Sequence, residues 1–197
     1  MEKLVFATNN SHKLHEIKEM LDNSFELLSL NEIGCSDDIP ETGETLEANA
    51  SQKSFYIWDR FHFDCFADDT GLEIEALNNE PGVYSARYAG DPKSDARNNE
   101  KLLTHLKEHA NRKAHFYCVL VLVRAANDPQ PIIAEGEWHG EIVDAPRGNG
   151  GFGYDPYFVL PEAGMTAAEL DADRKNRESH RGQALVQLVE RLKNRRA

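Results

Sequence analysis

Cysteine is scarce in this 197-residue chain: Cys35, Cys65 and Cys118 stand far apart, odd in number and without a Cys-x-x-Cys pair. That excludes a disulfide framework, argues against structural zinc, and fits a reducing, cytoplasmic setting. No apolar run approaches the ~20 residues needed to span a bilayer, so a soluble globular protein without a membrane partner is expected. A secretory leader is not expected either, because Met1-Glu2-Lys3 runs directly into a strand-like segment. Positive charge is also short. Twenty-two Lys and Arg face 34 Asp and Glu, a net charge of -12, whereas a nucleic-acid partner would call for a basic face that releases counterions from phosphates. A small polyphosphate stays open, since a few local cations, helix N-termini and a metal can meet its charge. No Gly-Lys pair occurs, which rules out a Walker loop.

What is present centres on Phe66-Ala67-Asp68-Asp69-Thr70-Gly71-Leu72. Two adjacent carboxylates lie between an apolar run and the alternating stretch Leu72 to Leu77, which places them at the end of a strand with Thr70-Gly71 as a turn. Neighbouring ionised carboxylates repel and are costly to bury, so the pair points to a hard divalent metal, a general base, or both. A turn whose Asp side chains cap backbone amides is the plainer alternative.

Around this centre the pattern predicts alternating strands and helices. Lys3 to Ala7 reads as a buried first strand and Lys13 to Leu21 as a helix, with Thr8-Asn9-Asn10-Ser11-His12-Lys13 between them. Such a turn offers free amides, a dipole end and the Lys13 charge to an anion, or simply caps the helix. Phe25 to Leu30 is the next strand, and an acidic loop from Ser36 to Gly43 leads into a helix from Glu44 to about Phe61. Glu41 stands where that helix begins, as a further carboxylate for a metal or as a dipole partner, and Asn49 inside the helix is either exposed or recruited to the site. Asp95 to Ala110 is a helix whose His105 and His109 face solvent. His115 to Arg124, with Val119 to Val123 continuously apolar, belongs at a sheet centre. Pro131 to Trp138 and Glu141 to Val143 form a hairpin around His139-Gly140. Gly148, Gly150 and Gly153 match a dinucleotide fingerprint literally, but no helix follows, so the loop reads instead as close backbone approach with Phe152 and Tyr154 offering flat faces to a base. Thr166 to Leu170 starts a short helix, and Glu178 to Arg196 forms the last one, with Ser179 as its cap.

Six motifs, in this order and spacing, resemble the inosine triphosphate pyrophosphatase family over nearly the whole chain: Ala-Thr-Asn-Asn-Ser-His-Lys, Glu-Thr-Gly-Glu-Thr-Leu-Glu-Ala-Asn-Ala, Ala-Asp-Asp-Thr-Gly-Leu, Pro-Gly-Val-Tyr-Ser-Ala-Arg-Tyr, Gly-Gly-Phe-Gly-Tyr-Asp-Pro and Ser-His-Arg-Gly-Gln-Ala-Leu. The resemblance implies a single domain over residues 1–197 with an elongated, two-lobed α/β fold, a long mixed sheet flanked by helices, and the active site in the cleft between lobes. It implies a house-cleaning enzyme that uses Mg2+ to hydrolyse ITP, dITP and XTP to the monophosphate and pyrophosphate, usually as a homodimer. By the same resemblance Asp69 is the general base and a metal-linked carboxylate, with Asp68 and Glu41 as further metal ligands. Thr8, Asn9, Asn10, Ser11, His12, Lys13 and Lys175 hold phosphates, and Thr70 touches substrate. Phe152, Gly153, Tyr154, Asp155, His180 and Arg181 frame the base. Many members carry Glu-Glu-Thr-Gly where this chain has Pro40-Glu41-Thr42-Gly43, which is the one departure at a ligand position. Two rival readings are a nucleotide-binding regulatory module without turnover and another magnesium-dependent phosphohydrolase. A pure polyanion binder gains nothing from the added negative charge of Asp68-Asp69.

Overall fold

The computed structural model describes residues 2–21, 25–124 and 128–194. Its chain is mixed α/β, with helices flanking one open mixed sheet of order β2-β1-β3-β5-β6-β7-β8 and a short β4 paired to β3. The strands are β1 (Glu2–Phe6), β2 (Phe25–Leu28), β3 (Cys65–Ile74), β4 (Pro81–Gly82), β5 (Lys113–Arg124), β6 (Asp128–Ile142), β7 (Phe158–Leu160) and β8 (Met165–Thr166). The helices are α1 (Ser11–Met20), α2 (Leu46–Phe61), α3 (Asp95–Leu106), α4 (Ala172–Glu178) and α5 (His180–Asn194). As the apolar run Val119 to Val123 demands, β5 sits at the middle of that order, and those five side chains are buried.

The chain divides into two compact units, Met1–Asp69 with Cys118–Gly136 and Arg181–Ala197, and Thr70–Tyr117 with Glu137–His180. In the first, β1 runs parallel to β2 and β3, in register at Val5 with Cys65 and Phe6 with Phe66. Phe6 stacks on Phe66 at 4.6 Å in one core cluster, which α5 completes with Ala184, Leu185, Leu188 and Leu192. On the other side Val5, Ala7, Cys65 and Ala67 pack with Ile57 of α2. In the second unit Leu72 and Ile74 of β3, Leu102 and Leu106 of α3, and Phe116, Trp138 and Phe158 make the core.

Three expectations are corrected here. Asp68 and Asp69 lie inside β3, which continues unbroken to Ile74; the strand that ends beside them is β1, whose pairing stops at Phe6 with Phe66. Gly71 is therefore no turn. A Cβ there would come within 2.5 Å of the Gly82 carbonyl, so glycine is what lets β4 approach β3. The hairpin around His139-Gly140 is likewise absent, because β6 is continuous from Asp128 to Ile142. Gly140 serves close packing: a Cβ would meet the Val159 carbonyl at 2.5 Å and the Phe158 ring at 2.6 Å. Finally, the short helix expected from Thr166 to Leu170 is a single 3-10 turn over Ala167–Glu169 capped by Thr166, and the last helix starts at His180 rather than Glu178, directly after Ser179, the residue expected to cap it. Arg195 and Arg196, placed at the end of the last helix by the sequence pattern, lie outside the described residues.

Candidate active site

α2 carries the first group of functional side chains because of its phase. Thr45 caps it by accepting from the Ala48 amide, and His62, in the left-handed region at φ 57, ends it. The buried stripe is Leu46, Asn49, Ala50, Lys53, Ser54 and Ile57, a core-facing period in which three of six residues are polar. Ser54 donates to the Val121 carbonyl at 2.7 Å. Asn49 and Lys53, one turn apart, meet the carboxylates. Asn49 Nδ2 donates to Asp69 Oδ2 at 3.0 Å while its Oδ1 accepts from the Gly43 amide at 2.7 Å. Lys53 Nζ lies 2.6 Å from Glu41 and 3.8 Å from Asp69.

Asp68 has different neighbours. Lys13 Nζ reaches its two oxygens at 3.0 and 2.9 Å, and Arg181 Nε donates to Oδ2 at 3.2 Å. Arg181, 2% exposed, extends the chain of charges to Glu16 at 2.5 Å. Burial works against ionising Asp68, but the charges of Lys13, Arg181 and Lys53 outweigh it and hold its carboxyl well below the usual range. In Asp69 the balance reverses: burial pushes the carboxyl up, and Lys53, Lys13 and the Asn49 hydrogen bond oppose it without cancelling it. Burial also works to discharge Lys53, yet Asp69, Asp68 and Glu41 hold its ammonium above the ordinary lysine value. Two adjacent carboxylates thus have opposite shifts, one pulled down by its cations and one pushed up by burial.

The amides ahead of α1 are partly committed. Asn10 is the N-cap, and its Oδ1 accepts from His12 and Lys13 at 3.0 and 3.2 Å; the Asn10 amide itself donates to Thr8 Oγ1. The expectation of free amides at this turn is corrected for residues 10, 12 and 13, and capping is the observed use. An anion here would meet Lys13, the dipole end and the half-exposed or exposed side chains of residues 8–13.

The second group belongs to the other unit. The exposed start of the loop is tied down by its backbone: Gly150 donates to the Ala168 carbonyl at 3.0 Å, and a Cβ on Gly151 would lie 2.1 Å from Asp155. Asp155, 4% exposed, accepts from the Phe152 amide at 2.9 Å and from Lys175 Nζ at 2.7 Å. The Lys175 ammonium also stands 5.1 Å from the centre of the Phe152 ring. Tyr154 is buried and donates to the Ser85 carbonyl at 2.7 Å, which turns its hydroxyl into structure. Ser85 in turn accepts from Leu72 N–H at 2.8 Å and donates to the Gly82 carbonyl at 2.6 Å. His180 stacks on Phe116 at 4.8 Å.

The model of the Ham1 family matches residues 4–191. This chain belongs to that family. It is 52% identical to a dITP/XTP pyrophosphatase of Ralstonia nicotianae, with 98% of each chain covered, and 50% identical to one of Chromobacterium violaceum at the same coverage. Among solved structures, a HAM1 protein from Coxiella burnetii is 45% identical with a TM-score of 0.90, covering 98% of this chain and 100% of its own. The Staphylococcus aureus Ham1 protein is 39% identical with a TM-score of 0.88 at the same coverage.

In this Ham1-family chain the structure brings Lys13, Glu41, Asp68, Asp69 and Arg181 into one group with Asn49, and Phe152, Asp155 and Lys175 into another. Lys175, expected with the phosphates, has its described partners in the base-loop group; Arg181, expected at the base, has Asp68 and Glu16 as partners. Thr70 continues β3 directly after Asp69. Lys53 and Glu16 were missed. The signal for Lys53 was available: a lysine four residues after Asn49, on the same helix face as Leu46, Ala50 and Ile57, is a cation aimed at the core. Glu16 carried no such mark.

Proposed function

We propose that this protein hydrolyses the deaminated purine nucleoside triphosphates ITP, dITP and XTP to the monophosphate and pyrophosphate, keeping them out of DNA and RNA. The observation that carries the reading is the geometry of Asp68 and Asp69, neighbouring carboxylates of which one is held by Lys13 and Arg181 and the other by Asn49 beside the buried Lys53. The substrate class follows from the relatives named dITP/XTP pyrophosphatase at about half identity over nearly the full chain.

Asp69 takes the proton of the attacking water, and its raised carboxyl brings it nearer the pH at which a base works best. The water oxygen bonds to the α-phosphorus, the bond from that phosphorus to the bridging oxygen breaks, and pyrophosphate leaves. Asn49 holds Asp69 in orientation by its 3.0 Å hydrogen bond. Lys13 and Lys53 supply charge to the phosphates as negative charge moves onto the leaving group. Asp68 remains an anion throughout and keeps Lys13 in place.

Magnesium fits the oxygen donors of Glu41 and Asp69, since the Lys53 ammonium already shows both carboxylates directed at one point of positive charge. Asp68 fits less well, with its oxygens held by Lys13 and Arg181. Among the described residues no cluster of three His, Cys, Asp or Glu side chains forms a cage, so Glu41 and Asp69 would hold the ion together with substrate phosphate oxygens. When bound, it withdraws charge from the phosphates. Phe152 stacks on the base, and Lys175, paired with Asp155, is the donor facing its oxo groups rather than the phosphates. Thr8 to Ser11 and His12 line the phosphate end beside Lys13, with Thr70 next to the base catalyst; Gly153, Tyr154 and His180 shape the base pocket. The family resemblance supports a homodimer, and three free cysteines, all buried, support a cytoplasmic setting. No helix among the described residues is long and apolar enough to cross a membrane.

A panel of purine triphosphates assayed with magnesium and resolved by product tests the whole reading. ITP giving inosine monophosphate and pyrophosphate supports it. Diphosphate plus phosphate would assign the site to another phosphohydrolase, and binding without turnover would make the chain a regulatory module. Light scattering of the same sample reads the oligomeric state.

A further inference from the structure

Helix α3 holds a pair of polar residues that the hydrolytic chemistry leaves unused. Asp95 is its first residue and Asn99 lies one turn on, and both reach Gly153, the residue between Phe152 and Tyr154. The Gly153 amide donates to Asp95 Oδ2 at 2.9 Å, and the Gly153 carbonyl accepts from Asn99 Nδ2 at 2.9 Å. The two peptide groups that flank Gly153 are thus each tied to the same helix. Asn99 Nδ2 donates to the Asp95 carbonyl as well, at 2.9 Å. Its amide orientation is therefore fixed, because the flipped form would set an oxygen against two carbonyls. Asn99 is 6% exposed, and a buried polar side chain that bridges its own helix and the Gly153 carbonyl is placed there to hold that loop.

The loop gives this hold a purpose. Gly153 has φ +62 and space around its Cα, a conformation to which a glycine is not confined unless something outside it does so. On its other side, the Phe152 amide is fixed by Asp155 at 2.9 Å. Phe152 thus stands between an internal tie and the α3 clamp, and the direction of its ring depends on both.

We propose that Asp95 and Asn99 are positioning residues for the purine. Resting on the reading of the chain as a purine triphosphate pyrophosphatase with Phe152 against the base, the clamp on Gly153 preorganises the aromatic face and acts on affinity for the base rather than on bond cleavage. An unclamped glycine loop would be ordered only at the cost of binding.

The test is a double-mutant cycle on inosine monophosphate affinity, read by calorimetry, with kcat and KM for ITP and the melting temperature beside it. Asp95→Ala and Asn99→Ala are each expected to weaken the monophosphate on the order of ten- to hundredfold, the scale of a lost hydrogen bond to a charged or buried group, and to raise KM while kcat stays within a few-fold. In a Phe152→Ala background the same changes should cost less than about threefold, since the ring they orient is gone. A purely structural role would lower the melting temperature and leave the full cost in that background, which overturns the proposal. If Asp95→Ala does not fold, Asn99→Ala, which leaves the helix start intact, gives the same cycle. Wild-type protein that binds the monophosphate while both variants bind it equally well overturns the clamp alone; wild-type protein that neither binds it nor hydrolyses ITP overturns the reading beneath, and the clamp with it.

Discussion

At Asp69 activity and stability pull in opposite directions. A carboxyl whose value is raised by burial is disfavoured as an anion in the folded protein, so at pH 7 its ionisation costs stability, while the reaction needs it ionised. Asp69→Asn should lose roughly 10²–10⁴-fold in turnover, the scale of a positioned acid-base group. It should also melt above the wild type at pH 7. Calorimetry and product release on one preparation read both, and a variant that melts lower would show the charge of Asp69 to be stabilising. Lys53 adds a sign that can be checked. Its cation pulls the Asp69 carboxyl down against burial, so Lys53→Met should move the acid limb of the kcat/KM profile to higher pH. A limb that stays in place would separate Lys53 from the base. Among the site residues, the paired aspartates were legible in the sequence because their chemistry is local. The partners that divide their roles were not: Arg181 comes to Asp68 from 113 positions away, and no short-range pattern carries such a contact.

Elements were legible where burial is periodic and were misread where a glycine had two explanations. The apolar run of β5 appears in the sequence as it does in the fold, and so does helix α2, but its buried stripe includes Lys53 and Ser54, polar positions that the hydrophobic pattern did not mark. Gly71 and Gly140 both looked like turns, yet each lies within a long strand and makes room for a neighbour, β4 in one case and β7 in the other. Turn propensity and close approach select the same residue, and only the contact tells them apart. Gly140→Ala decides the matter by experiment. With a Cβ 2.5 Å from the Val159 carbonyl and 2.6 Å from the Phe158 ring, the backbone of β7 must shift. Overpacking of this kind costs about 1–3 kcal/mol. Thermal melting should drop accordingly, whereas a glycine at an exposed hairpin tip would tolerate alanine with little change.

Over the whole molecule, charge works at two depths. A net charge of -12 spread over 197 residues repels itself at neutral pH. Salt screens that repulsion, because the Debye length shrinks from about 30 Å at 0.01 M to about 8 Å at 0.15 M. The melting temperature of the wild type should therefore rise over that range. The line of charges Lys13, Asp68, Arg181 and Glu16 answers differently, since Asp68 and Arg181 are 1% and 2% exposed and are screened little. Replacing Asp68 by Asn leaves the buried Arg181 and the half-buried Lys13 without their shared anion, a change of up to about 3–5 kcal/mol. The sign with pH follows from the depressed carboxyl: its contribution is present above the unfolded value of about 3.9 and is lost as pH falls through the folded one. Asp68→Asn should thus melt well below the wild type at pH 7, by nearly the same margin at 0.01 M and 0.15 M salt, and the margin should narrow below about pH 4. A margin that disappears in salt would mean that Asp68 is wetted and that its pairing with Lys13 and Arg181 is a surface interaction.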